Sequence, residues 1–426
     1  MSKLRCLTAL VVCAFLTSVV PAHADVVTDW NAITTQIVAV GDPTTTPATP
    51  PARGGPPSLL DIALVHLAMH DAVQAIEGRY QPYSYSTPGS GSVAAAAAAA
   101  AHRTLVLLYP AKQAMLDSLY SAYLTSHTIS TTDPGLAVGE AAAIALHSNH
   151  YRPLIPIPDF FGNNSPGQWR SAVPMAFLFM AFSEPFALNR VSQFRPEPPP
   201  PMRSTRYVRE YDEVKTIGDG AAQSAAQLSM GRFWSGNFPA QWNEALRRIA
   251  INNVNNIGDS ARLFALANVA GADAGMAVWD SKYFYNFWRP SMAIQDGALD
   301  GNPRTQPQAG WVTYFSTLPV TPPNPMNPPY PDYVSGANGL TGAFTGMLQE
   351  FFATDDISFS VKSIPAQAAN PERFFTSFSQ AAQEVVDARI LLGIHFRSAD
   401  EDARQLGIRV AHWTFQKFLR PVPGSK

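Results

Sequence analysis

Lys282-Tyr283-Phe284-Tyr285-Asn286-Phe287-Trp288-Arg289-Pro290 places two cations seven residues apart in an otherwise aromatic stretch. It closes an apolar run over 259–288 that is too long for a strand and spaced for a helix. Helical residues seven apart share a face two turns on, so Lys282 and Arg289 are expected side by side. Pro290 is expected to end or kink that helix. Neighbouring cations repel unless an anion or a carboxylate lies between them. Neutralisation by Asp273 or Asp280 inside a buried network is one reading and a bound anion the other.

Outward from this stretch the pattern stays helical. Helices are expected over 26–40, from Ser58 (as cap) with the apolar face of Leu60, Ala63, Leu64, Leu67, Ala68 and Val73, and at 111–127 and 134–151. More are expected at 203–228, 240–253, 336–353, 371–391 and 400–418. Ala94 to Ala101 is an eight-alanine run. Alanine is the strongest helix former and lets helices approach closely, and apolar helical sequence continues after it. Residues 41–57, 82–92, 153–202 and 318–331 are rich in Pro, Gly or Ser and read as loops. Alternating strand patterns are scarce. The fold class is therefore all-α: a bundle of about a dozen helices with long Pro-rich loops, in one domain over 25–426.

Two more segments carry chemistry. In Tyr330-Pro331-Asp332-Tyr333-Val334-Ser335-Gly336-Ala337-Asn338, Ser335 and Gly336 stand where a Pro-rich loop enters a helix. Free N–H groups and the positive dipole end favour an oxyanion there, although an N-cap serine alone explains Ser335. In Ala388-Arg389-Ile390-Leu391-Leu392-Gly393-Ile394-His395-Phe396-Arg397, Gly393 lets the chain break its helix and turn His395 back toward Arg389. Taken alone, His395 reads as a core histidine.

In order and spacing, the three segments resemble the three-part pattern of vanadium-dependent haloperoxidases and type 2 phosphatidic acid phosphatases: K-x6-R-P, P-S-G-H and S-R-x5-H. Leu64-Val65-His66-Leu67-Ala68-Met69-His70-Asp71-Ala72-Val73-Gln74-Ala75-Ile76, Phe287 to Pro290 and Gly393 to Arg397 also resemble bacterial members of the haloperoxidase branch. The resemblance implies a helical bundle whose oxyanion half covers about 203–426. It implies that Lys282, Arg289 and Arg389 hold the oxygens of vanadate or phosphate, with Ser335 and the Gly336 N–H adding hydrogen bonds. His395 is then the axial ligand to vanadium, or the nucleophile toward phosphorus. The implied cofactor is vanadate, with phosphate the alternative. The implied substrates are peroxide and a halide, or a phosphate ester.

The chain departs from the pattern at four places. Val334 precedes Ser335, Ala388 precedes Arg389, and Ala399 stands where the family has an aspartate, with Asp400 one place later. Ala337 replaces the acid–base histidine, and a methyl group moves no proton. General acid–base catalysis is worth about 10²–10⁴-fold. Three readings follow: a haloperoxidase-like enzyme, an acid phosphatase working through a phosphohistidine, and an oxyanion-binding protein without turnover. His66, His70 and Asp71 invite a metal reading, but zinc needs a third ligand near the two histidines, and the stretch reads as a packed helix.

The N-terminus reads as a secretory signal over 1–24: Lys3 and Arg5, an apolar run from Leu7 to Val20, then Ala22-His23-Ala24. Cleavage before Asp25 is expected, giving a periplasmic or secreted protein. Cys6 and Cys13 both lie in this segment, so the remaining chain has no disulfide, thiolate metal site or cysteine nucleophile. Loss of Lys3 and Arg5 takes the formal charge from −2 to −4, which gives no reason to expect nucleic acid. No later segment is expected to span a membrane.

Overall fold

The computed structural model describes residues 24–42, 49–151, 156–320, 323–364 and 371–424. Apart from Ala24, the segment expected to be a secretory signal lies outside them.

Thirteen α-helices make up the described chain. The first five are α1 (Val26–Thr35), α2 (Ser58–Glu77), α3 (Val93–Leu108), α4 (Gln113–Ser126) and α5 (Pro134–His150). A long loop leads to α6 (Thr205–Ile217), α7 (Ala225–Phe233), α8 (Phe238–Asn253) and α9 (Ile257–Tyr285). Then come the short α10 (Pro290–Gln295), α11 (Gly336–Phe352), α12 (Phe378–Leu391) and α13 (Arg397–Lys417). One antiparallel hairpin, β1 (Phe359–Lys362) and β2 (Glu372–Phe375), pairs Phe359 with Phe375 and Lys362 with Glu372.

The helix starts follow from the side chains before them. Asp25 closes a capping box on α1, and Ser92, Asp133, Asn237, Asn256 and Ser335 each accept a backbone N–H from the first turn of the helix they precede. Ser58 does not act this way. Pro57 holds the cap position of α2, and the Ser58 hydroxyl donates back to the Gly55 carbonyl. The stretch 203–228 is two helices, because Gly218 and Gly220 interrupt it.

Helix α9 is buried almost around its whole circumference from Gly258 to Lys282, as expected of a central core helix. It packs against α2, α11 and α13, and α2 packs in turn against α3 and α5. Ala95 to Ala101 are fully buried on α3. The apolar core runs without a break from Val26 to Leu419. By length and composition α2 could cross a membrane, but it is buried inside this core.

Helices α11 and α13 cross closely. A Cβ at Gly407 would meet the Gly339 carbonyl oxygen at 2.2 Å, so no larger residue permits this approach. The crossing brings the start of α11 beside the start of α13, and both face the last turn of α9.

Candidate oxyanion site

Five chain ends converge here. Lys282 sits in the last turn of α9 and is fully buried. Its Nζ donates to the carbonyls of Pro331 (2.6 Å) and Asp332 (3.0 Å). Asn286 takes a left-handed conformation (φ 46°) and stops α9 before Arg289 is reached. Lys282 and Arg289 therefore do not share a helical face; Arg289 returns to the cluster as the cap residue of α10, with Pro290 at its first position.

Arg289 is fully buried. Its Nε donates to the Tyr330 carbonyl (2.9 Å) and its Nη1 to the Ile394 carbonyl (2.6 Å). Nη1 also lies 3.3 Å from His395 Nε2 and 3.9 Å from an Asp332 carboxylate oxygen. Both cations sit over the Tyr330 ring, each 5.0 Å from its centroid. Asp273 and Asp280 do not neutralise them. Asp273 accepts the backbone N–H groups of Phe186, Ala187 and Leu188, and Asp280 holds Arg195 through two 2.8 Å bonds.

Gly393, with φ +76°, ends α12 and turns the chain toward α13. Its hydrogen is required: a Cβ there would meet the Gly218 carbonyl oxygen at 2.2 Å. The turn delivers His395 to Arg289, and its Nδ1 lies 2.7 Å from Asp332 Oδ1. Arg389, one turn earlier, donates from Nη1 to the Trp234 carbonyl (2.9 Å). Ser335 caps α11, its hydroxyl accepting the Asn338 N–H, while Asn338 Nδ2 donates to Asp400 Oδ1 (2.8 Å). Gly336, first in α11, has no acceptor for its N–H within its own helix.

Electrostatics bind these groups into one unit. Burial, then Arg289, Lys282 and Arg389 in turn, push His395 well below the usual imidazole range, so the ring is neutral. Burial, then Arg289, lower Lys282. Burial brings Arg389 down to about 10. Burial drives Asp332 up to about 7 against the pull of Arg289 and Lys282, and Asp400 well above the carboxylate range against Ser335 and Arg389. With both carboxyls ionised, these three cations still leave one positive charge in excess. Arg289 Nη2 and Arg389 Nε are buried donors without a protein partner. Unmade donors of this kind cost about 1–3 kcal/mol each, and an oxyanion is the group that satisfies them.

A cavity of about 420 Å³ reaches the cluster. Arg389, Gly336, Ala337, Tyr330, Trp279 and Phe238 are among its walls, and Ala337 stands where a longer side chain would project into it. Lys282, Arg289, Ser335 and His395 are not among its walls, and Tyr330 belongs both to the cavity and to the cation cluster.

Sequence reasoning missed Asp332 as a partner of His395. The available signal was a lone carboxylate three residues before Ser335, in a chain that had to balance three buried cations. His66, His70 and Asp71 form no metal site. His66 meets Asn31, His70 meets the Gln81 carbonyl, and Asp71 accepts the N–H groups of Tyr83, Ser84 and Tyr85. Among the described residues no cluster of His, Cys, Asp and Glu suits a metal ion held by such side chains.

Comparison with known proteins gives a consistent family. Residues 262–424 match the model of the VCPO second helical-bundle domain. Vanadium chloroperoxidase from Curvularia inaequalis is 32% identical over 264 residues, which are 49% of this chain and 43% of that protein, so the match spans less than half of the relative's length. Among solved structures, a bacterial vanadium-dependent iodoperoxidase superposes with a TM-score of 0.70 at 23% identity, over 86% of this chain and 92% of the other. An apo-type bacterial vanadium-dependent chloroperoxidase superposes with a TM-score of 0.65 at 17% identity, over 85% of this chain and 93% of the other. At those identities the superpositions establish the shared fold. The family model over 262–424, which contains every residue of the cluster, agrees with the resemblance read from the three segments, and the described chain has the helical fold of these vanadium-dependent haloperoxidases.

Proposed function

We propose that the chain binds a tetrahedral oxyanion, vanadate foremost, between Arg289, Arg389 and His395, and serves peroxide-dependent halide oxidation. The observation that carries this reading is the pair of partnerless donors, Arg289 Nη2 and Arg389 Nε, buried beside a neutral histidine. Vanadate, when bound, supplies a Lewis-acidic centre that activates peroxide toward a halide. The chain's own groups do the rest. Lys282, Arg289 and Arg389 compensate the anion's charge in a water-poor site, where fixed charges act strongly. The Gly336 N–H adds a donor at the cavity wall, and His395 offers a nitrogen lone pair. Ala337 moves no proton, so low turnover accompanies good binding.

The His395–Asp332 contact favours a second reading, because a carboxylate on Nδ1 strengthens Nε2 as a nucleophile toward a phosphate ester. Binding without turnover is the third, and rests on Ala337. The three separate in one set of assays on purified protein. Vanadate-dependent bromide or iodide oxidation with peroxide supports the first. Vanadate-inhibited phosphate release from p-nitrophenyl phosphate supports the second. Vanadate binding with neither activity supports the third, and no binding overturns all three.

Export is part of the proposal. Asp25 caps α1, so cleavage after Ala24 removes no residue of a described helix. Intact mass of protein from the periplasm or medium should lack residues 1–24; a retained segment in the membrane fraction contradicts it.

A further inference from the structure

We propose that Asp332 is the positioning residue that fixes the tautomer and orientation of His395. This rests on the oxyanion reading of the site and names what prepares its histidine.

Asp332 Oδ1 lies 2.7 Å from His395 Nδ1, with the carboxylate fully buried. Asp332 in its ionised form, which Arg289 Nη1 at 3.9 Å favours, only accepts, so the bond to the carboxylate requires hydrogen on Nδ1. A neutral imidazole carries one N–H, so Nε2 is left with its lone pair. Arg289 Nη1 lies 3.3 Å from Nε2 and 3.5 Å from Nδ1, beside both ring nitrogens, so the tautomer rests on the Asp332 contact. An oxyanion centre that takes the Nε2 lone pair needs this tautomer and no other.

Asp332 is itself held on both flanks by the first segment. Its backbone N–H donates to the Phe287 carbonyl (2.9 Å), and its carbonyl accepts Lys282 Nζ. The loop carrying it is thereby tied to the segment that supplies both Lys282 and Arg289. Ala399 offers His395 nothing from its side chain, and its carbonyl is occupied by the Ser335 N–H (2.8 Å). Asp400 is turned elsewhere, its Oδ1 bonded to Asn338 Nδ2. Carboxylates that orient a ligating histidine typically contribute 10–100-fold to affinity.

The test reads the histidine directly. The ¹⁵N spectrum of the ring nitrogens of the full chain, with the His395 signals identified by their loss in His395→Gln, should show hydrogen on Nδ1 and a bare Nε2. Asp332→Ala should give a mixture of tautomers and weaken orthovanadate binding by 10- to 100-fold. Asp332→Asn, whose amide oxygen still accepts from Nδ1, should recover the wild-type tautomer and part of the affinity. Wild-type His395 protonated on Nε2 overturns the proposal, whether or not the variants fold. So does Asp332→Ala with the wild-type tautomer and an affinity within twofold of wild type. Should the wild-type protein not bind vanadate, the oxyanion reading fails, while the spectrum still decides the role of Asp332.

Discussion

Arg289 and His395 are 106 residues apart, yet Nη1 of one lies 3.3 Å from Nε2 of the other, and the same Nη1 bonds the Ile394 carbonyl next to the histidine. One guanidinium thus anchors the backbone of the His395 turn, the Tyr330 loop and the edge of the imidazole. Nη2 remains for an anion.

Lysine cannot reproduce this fork. An ammonium on a flexible stem keeps the charge but does not span the two carbonyls and an anion together. Charged hydrogen bonds are worth about 1.5–3 kcal/mol, so Arg289→Lys should weaken vanadate binding by about tenfold or more. Calorimetric titration checks this, and an affinity within twofold of wild type contradicts it.

Ala337→His should raise peroxidase or phosphatase turnover at least about tenfold, within the roughly 10²–10⁴-fold scope of acid–base catalysis. The cavity beside Ala337 gives the ring room, and the binding donors are untouched. Vanadate affinity should change much less than turnover, and adding His395→Ala should abolish the gain. A folded, vanadate-binding variant with no gain rejects the assignment of low turnover to the missing histidine.

The three segments were legible because each pairs a cation or a nucleophile with a helix-breaking residue at fixed spacing. Lys282, Arg289, Arg389 and His395 accordingly fall in one cluster, while the Ser335 hydroxyl caps α11. The counter-charge was not legible. Asp280 lies two residues before Lys282, a spacing that points side chains of one helix apart, so nearness in sequence misled. Asp332 read as part of a Pro-rich loop, and only the tertiary fold folds that loop over the end of α9. The hairpin was missed for a local reason: Phe359–Lys362 and Glu372–Phe375 are four residues each, too short for alternation to emerge.

Gly393→Ala should damage both stability and binding. A left-handed alanine costs about 1–2 kcal/mol before any clash. The added Cβ also meets the Gly218 carbonyl, so the turn must move and His395 with it. The expected result is a melting temperature lower by several degrees and a vanadate affinity reduced in the protein that remains folded. Unchanged melting and affinity contradict the role given to this turn.

His66 should make stability depend on acid. Burial, then Arg247, hold its pKa at about 3, against about 6.5 in the unfolded chain. Below pH 6.5 the unfolded state takes up a proton that the folded state refuses, so the stability this group contributes declines as pH falls toward 3. At pH 4.5 the loss is about 2–3 kcal/mol. Buried Asp71 and Asp273, raised to about 6, act in the opposite sense, because the folded state holds their protons more firmly between about 3.8 and 6. A comparison with His66→Gln cancels them. The gap in unfolding free energy between wild type and variant should shrink by about 2 kcal/mol from pH 7 to 4.5. Parallel pH curves in urea unfolding reject this.

The most direct test of the site is a calorimetric titration of orthovanadate into the wild-type protein and Arg389→Ala, repeated in the presence of phosphate. The expected result is one vanadate per chain, displaced by phosphate and bound about tenfold or more weakly once the Arg389 donors are gone. No binding to the wild type, or equal binding to Arg389→Ala, contradicts an oxyanion site at this cluster.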